Sequence, residues 1–468
     1  MASNMAVAAA IFFFFSFFAG YSHADSWNKM GINYGQLGNN LPSPFESIQL
    51  LQSLKAGSVK LYDANPEILK LLAGTNMHVS IMVQNHEINR IASDQAAANN
   101  WVQDNVLQHY PDTMIRFILV GNEVLSYSSD QDKIIWSNLV PAMRKIKNSL
   151  KSHNIQNIKI GTPLAMDVLQ ITSPPSNGTF RSDISTVMLP LLKFLNGTKS
   201  YFFIDAYPFF PYSNNTANVS LNYALFESSQ NYTDPNTTFI YTNLLDQMLD
   251  SIVFAMTKLG FSNIKLAIAE TGWPNAGDLD QPGANIYNAA TYNRNLIKKM
   301  TARPALGTPA RPGVIIPTFI FSLYNENQKP GPGTERNWGM LRPDGSPIYE
   351  IDLSGKRAES DFTSLPKPTN NKPYNGKLWC VAATGVNATM LEGAITNACN
   401  LGNGTCDALT PGKNCYNPVT VTWHASYAFS SYWAKFRSRG GSCYFNGLAQ
   451  QTTTNPSHGL CVVPSVSL

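Results

Sequence analysis

Two short stretches end where chemistry could begin. "ILVGNEV" (118–124) closes an apolar run on Asn122 and Glu123, and "LAIAETGWP" (266–274) closes another on Glu270. A buried run that needs only to stop can do so on a Lys or a turn residue. A catalytic site needs a carboxyl held at a defined place on a rigid element. Two carboxyls facing one pocket suit glycoside hydrolysis: one must carry a proton for the leaving oxygen and the other must be ionised, so their surroundings must push their pKa values apart. Aromatic faces would stack on sugar rings, and an Asn would hydrogen-bond a ring hydroxyl.

The elements that must position these groups can be read from the apolar runs. They are "MGINYG" (30–35), "SVKLYD" (58–63), "HVSIMVQN" (78–85), "IRFILVGNE" (115–123), "IKIGTPL" (158–164), "YFFIDAYP" (201–208), "IKLAIAET" (264–271) and "VIIPTFIFSLYNE" (314–326). They are near-continuous rather than alternating, as strands buried on both faces are. Helix-like segments separate them. Ser43 and Pro44 open one, Ser93 is the expected cap of another, and Gly260 stops a third. This repetition predicts an α/β fold, a (β/α)8 barrel, over residues 27–353. An open doubly wound sheet would call for a glycine-rich phosphate loop after an early strand, and the sequence has none. In a barrel the chemistry gathers at the C-terminal strand ends. Those ends bring Tyr34, Asn122-Glu123, Asp205 to Pro208, Glu270 to Pro274 and Tyr324 to Glu326 to one rim.

Residues 354–376 are polar and Pro-containing and read as a linker. All six Cys of the 468-residue chain follow it, between Cys380 and Cys461. In an exported chain that density implies a disulfide-stapled small domain over 377–468, with 15 pairings open from sequence alone. Residues 1–24 read as a signal peptide cut after Ala24, although no Lys or Arg precedes the apolar core. The C-terminus carries no lipid-anchor signal, so secretion to the extracellular space or cell wall, without a membrane anchor, is expected. Sequons at Asn177, Asn196, Asn214, Asn218, Asn231, Asn236, Asn387 and Asn403 fit a secreted glycoprotein, most of them clustered after strand five. Charged residues make up 14% of the chain and the net charge is +4. No basic run suggests a nucleic-acid partner. The seven His are scattered and give no metal-ligand spacing, so neither a metal nor a cofactor is expected. A monomer is the default expectation.

The two carboxylate stretches resemble the signature segments of plant endo-β-1,3-glucanases, glycoside hydrolase family 17. "GINYGQLGNNLPSP" and "FIFSLYNENQKPGPGTERNWGMLRPDGSPIY" are similar to that family too, and the resemblance runs from about residue 28 to 351. It implies a retaining mechanism with Glu270 as nucleophile and Glu123 as acid/base. It also implies a sugar-contacting set of Tyr34, Asn122, Tyr207, Phe210, Phe321 and Trp338, with Glu326, Lys329 and Glu335 around the catalytic pair. The segment after strand six follows the family's aromatic pattern loosely, which bears on Phe210.

"LWCVAATGVNATMLEGAITNACN" and "GGSCYFNGLAQQTTTNPSHGLC" resemble carbohydrate-binding module family 43, which binds β-1,3-glucan. That resemblance implies a small, mainly helical fold with Cys380–Cys443, Cys399–Cys406 and Cys415–Cys461 disulfides. Tyr444 stands where the family often has an acid. Within "VTWHASYAFSSYWAKF" one face must be core and the other is open to be a glucan platform, with Tyr427 or Trp433 the better candidates, unless all of these rings pack inside. Two alternatives stay open beside a secreted endo-glucanase: a wall- or callose-binding protein with a weakly active barrel, and a β-1,3-glucan transglycosylase.

Overall fold

The computed structural model describes residues 30–468, and the leader expected over residues 1–24 lies outside them. The central sheet comprises β1 (Gly31–Tyr34), β2 (Ser58–Leu61), β3 (His78–Val83), β4 (Ile115–Val120), β5 (Lys159–Gly161), β6 (Pro163–Ala165), β7 (Tyr201–Asp205), β8 (Lys265–Thr271) and β9 (Thr318–Ile320). All pairings are parallel. The fifth run is broken at Thr162, so that β5 pairs with β4 while β6 pairs with β7. β9 joins β8 back to β1, and the ring closes as a (β/α)8 barrel. At the break, a Cβ on Gly161 would run into the Phe203 ring, so only glycine lets β5 and β7 approach. The last apolar run, expected to be long, contributes only Thr318–Ile320 to the sheet, because its remainder turns away to form the rim.

The continuous apolar runs are explained by two separate cores. In β4, Ile118 and Val120 face outward into the helix-covered core, while Phe117 and Leu119 face inward. Inside the barrel, Phe117, Phe203 and Phe319 meet edge to face, with ring centroids 5.0 Å and 6.5 Å from Phe117. Burying one such ring stabilises the fold by roughly 1.5–3 kcal/mol. The same alternation in β2 sends Val59 and Leu61 outward and Ser58 and Lys60 inward.

The helices start on local signals. Ser43 and Glu46 form a capping box in front of Pro44–Ser53. Asn243 caps Leu244–Lys258, which ends before Gly260 at φ +85°. The expected cap at Ser93 is corrected: Ser93 ends the Ile88–Ser93 helix, and Asp94 caps the next one by accepting from the Ala96 N–H. Asp94 competes better there because its carboxylate also suits the positive end of the helix dipole. No helix among the described residues is long and apolar enough to cross a membrane.

Residues 354–376 are not a loose tether. Phe362 lies under the Arg294 and Arg357 guanidinium groups, at 3.9 Å and 4.4 Å. Asn370 and Asn371 accept side-chain hydrogen bonds from Asn285 and Asn288 of the barrel, at 2.7–2.9 Å. The C-terminal region then forms an antiparallel sheet of β10 (Lys377–Ala382), β11 (Ala449–Thr452) and β12 (Val466–Ser467), against helices Ala388–Gly402 and Val421–Phe436. Disulfides join Cys380 to Cys443, Cys399 to Cys406 and Cys415 to Cys461. They staple a small domain by restricting its unfolded chain. Trp433 and Tyr427, expected as a binding platform, are instead buried in that core at 1% and 6% exposure. A domain this small needs its largest rings inside. The module also rests on the barrel. Arg437 Nε and Gln451 Nε2 donate to Asp280 at 2.8 Å and 2.9 Å, and Arg336 stacks on the Tyr444 ring at 3.4 Å.

Candidate active site

Glu270 reaches the barrel mouth through an irregularity. Strict alternation from Leu266 and Ile268 would turn it outward. The register shifts between Ile268 and Glu270, which brings Glu270 opposite Asp205 of β7 and aims it into the mouth. Its carboxylate is closely held. Oε1 accepts from Lys60 Nζ and from the Tyr62 hydroxyl, both at 2.6 Å, and Oε2 accepts from the Tyr207 hydroxyl at 2.7 Å. Burial alone would raise its pKa, but the Lys60 ammonium and these three hydrogen bonds outweigh it and hold the group below its ordinary value.

Glu123 sits just beyond β4, in the left-handed backbone region at φ +49°. A non-glycine residue there costs on the order of 1–3 kcal/mol and needs support. The Glu123 N–H donates to the Pro163 carbonyl at 3.0 Å. The preceding peptide is clamped by Asn85, which accepts from Asn122 N–H at 2.7 Å and donates to Asn122 O at 3.1 Å. Burial, reinforced by the nearby Glu270 charge, pushes the Glu123 carboxyl up to about 7, although Lys60 pulls against it. Asp205, 2% exposed, shares a hydrogen bond with Glu123, and no N–H or hydroxyl donor reaches either of its oxygens. Two carboxyls can share that bond only when one keeps its proton. Burial and then Glu270 drive the Asp205 pKa well above the usual range, so Asp205 is the one that keeps it.

These groups open into a cleft of about 1180 Å³ that Asn122, Tyr207, Phe210, Phe321, Lys329, Glu335 and Trp338 also line. The Asn122 Oδ1 is buried without a partner there. Tyr207 and Trp338 pack with centroids 4.9 Å apart, and Phe210, 40% exposed, projects beside them. Lys329 lies 3.9 Å over the Phe321 ring and 3.6 Å from Glu326 Oε2. Burial raises the Glu335 pKa, against the pull of Lys329.

Two expected site residues stand behind the cleft wall rather than on it. Tyr34 is 2% exposed and packs edge-on against Tyr324 with centroids 6.1 Å apart. Glu326, also buried, accepts from the Leu37 N–H at 2.8 Å and occupies the space a side chain on Gly35 would need. Sequence reading missed Lys60, Tyr62 and the role of Asp205. A signal existed for the first two: a Lys inside an apolar strand, two residues before a Tyr on the same face, is out of place unless it faces a charge.

One carboxyl kept protonated and one kept ionised, lining one cleft at the mouth of a (β/α)8 barrel, equip the protein to break glycosidic bonds. The chain belongs to the glycosyl hydrolases family 17, whose sequence model matches residues 30–353. The X8 domain model matches residues 378–450. The chain is 60% identical over 445 residues to a probable glucan endo-1,3-beta-glucosidase A6 of Arabidopsis thaliana, covering 95% of this chain and 92% of that one. It is 36% identical over 468 residues to a glucan endo-1,3-beta-D-glucosidase of Olea europaea, covering 100% of both. Among solved structures it resembles a beta-1,3-glucanase and allergen of Cryptomeria japonica pollen, with TM-score 0.66, 40% identity, and coverage of 70% of this chain and 99% of that one. A plant beta-glucan endohydrolase matches with TM-score 0.63 and 33% identity, covering 69% of this chain and all of that one.

Proposed function

We propose that the protein is a secreted endo-hydrolase of β-1,3-glucan that works with retention of configuration, and that the C-terminal module over residues 377–468 holds it on the polymer. The observation that carries this reading is the opposite proton affinity of the two neighbouring carboxyls: Glu270 held ionised by Lys60, Tyr62 and Tyr207, and Glu123 raised to about 7. The substrate follows from relatives described as glucan endo-1,3-beta-glucosidases. Secretion rests on the leader-like start of the sequence and on the disulfides of the module.

In the first step a Glu270 oxygen attacks C1 of the sugar, and the bond from C1 to the leaving O3 breaks. Glu123 gives its proton to that oxygen. In the second step Glu123, now a carboxylate, takes a proton from water. The water oxygen bonds to C1, and the Glu270 ester is released as carboxylate. Lys60, Tyr62 and Tyr207 stabilise that leaving carboxylate. Asn122, Tyr207, Phe210 and Trp338 supply the sugar-contacting wall.

The test is reducing-sugar release from linear β-1,3-glucan by wild type, Glu270→Gln and Glu123→Gln, with the anomer formed first read by NMR. Activity abolished in the first variant and severely reduced in the second, with the β-anomer released first, is the expected result. Wild-type inactivity with intact glucan pull-down would refute the enzymatic reading.

A further inference from the structure

Three sequon asparagines, Asn214, Asn218 and Asn231, line the same cleft as the catalytic pair. Asn214 ends the short Phe209–Asn214 helix, which also carries the cleft aromatic Phe210. Asn218 lies in the turn that follows, its Nδ2 donating to Asn215 Oδ1 at 2.9 Å. Asn231 precedes the Tyr232–Thr233 strand, another part of the cleft lining. All three are exposed, and among the described residues no hydrogen bond engages the Asn214 or Asn231 side chain. The other sequons in this stretch differ. Neither Asn177 nor Asn236 borders the cleft, and Asn236 Nδ2, like Asn218 Nδ2, already donates, to Ser176 Oγ and Asn177 Oδ1 at 3.0 Å and 3.3 Å.

We propose that N-linked glycans at Asn214, Asn218 and Asn231 are carried on the rim of the substrate cleft and shorten its usable length, so that their occupancy sets the preference between long and short glucan chains. The inference rests on the proposed secretion of the chain, since the modification is added only to exported proteins. A glycan is a bulky hydrated oligosaccharide attached at Nδ2. At these positions it occupies the volume through which a polymer running past the aromatic wall must pass. A short oligosaccharide bound across Glu123 and Glu270 stays clear of it. Two of the three sites lie within the lining segment from Phe210 to Ser220 and the third within the lining segment from Gln230 to Tyr232, so glycans would meet the chain from two separate rim segments.

The experiment uses the full chain secreted from a eukaryotic host. Glycopeptide mapping gives site occupancy. Then kcat/KM is measured on long β-1,3-glucan and on a tetrasaccharide, for wild type, endoglycosidase-trimmed wild type, the Asn214→Gln, Asn218→Gln and Asn231→Gln single variants, and their combination. Asn196→Gln, on the exposed face of a barrel helix away from the cleft, is the control. The expected result is glycan on at least one rim site and a polymer-to-tetrasaccharide ratio that rises about threefold or more on trimming or substitution, with the control unmoved. Glycan on Asn196 or Asn387 with all rim sites bare would overturn the inference and leave secretion standing. Occupied rim sites with an unchanged ratio would also overturn it. Secreted chain without glycan anywhere would overturn the inference and leave secretion standing, whereas chain retained in the cell with its leader uncut would overturn the secretion it rests on.

Discussion

The Lys60 ammonium lies 2.6 Å from Oε1 of Glu270, inside the barrel and wholly shielded from solvent. A buried cation against a buried carboxylate is a weak device for stability, because desolvation consumes most of the attraction. It is an effective device for fixing a protonation state. Replacing Lys60 with Met keeps the length and removes the charge, so the Glu270 pKa rises. The nucleophile must be ionised, so the acid limb of the pH profile of kcat/KM moves to higher pH, and activity near the optimum falls by about a hundredfold or more. An acid limb that stays in place would show that Lys60 does not set the charge of Glu270.

The basic limb belongs to Glu123. With its carboxyl near 7, general acid is lost as pH rises through that value, and kcat/KM on glucan falls about tenfold per unit above it. An aryl glycoside with an activated leaving group needs little protonation, so its kcat/KM flattens on that side. A full basic limb with the activated substrate would assign the titration elsewhere.

Asp205 gives a finer test. Held protonated, it donates to Glu123, and an Asn of the same shape is also a neutral donor. Asp205→Asn therefore leaves the basic limb within about half a unit of wild type. Were Asp205 ionised in the native enzyme, its loss would remove a repelling charge and shift that limb clearly to lower pH.

Gly35 and Glu326 interlock behind the wall. A methyl group on Gly35 meets the Glu326 carboxylate, which is anchored by Leu37 N–H and Lys329 and cannot swing away. Gly35→Ala is expected to destabilise the protein by about 1–3 kcal/mol, read by denaturant unfolding, and to lower activity through Lys329.

Legibility from sequence had a physical boundary. The barrel was readable because its runs are buried on both faces, and the pair Glu123 and Glu270 because each ends such a run. What alternation could not supply was aim. Periodicity would point Glu270 outward, and only the register shift before it turns it inward. Glu123 likewise depends on a left-handed backbone that no residue type announces. Tyr34 and Glu326 share the rim in sequence but face its back, and Asp205 acquires its meaning only when the sheet sets it across from Glu270.

Asp280 provides a last prediction and a wider consequence. It binds Arg437 and Gln451 of the module from the barrel loop at residue 280. Asp280→Ala should split a single calorimetric transition into two, while a single transition in both proteins would mean the domains do not unfold through that contact. With the contact intact, and with residues 354–376 pinned to the barrel, cleft and module behave as a ruler. A glucan chain engaged by both presents its bonds to Glu123 and Glu270 at a set distance from the anchored end. Product lengths should then cluster around a preferred interval, and loosening Asp280 should spread them.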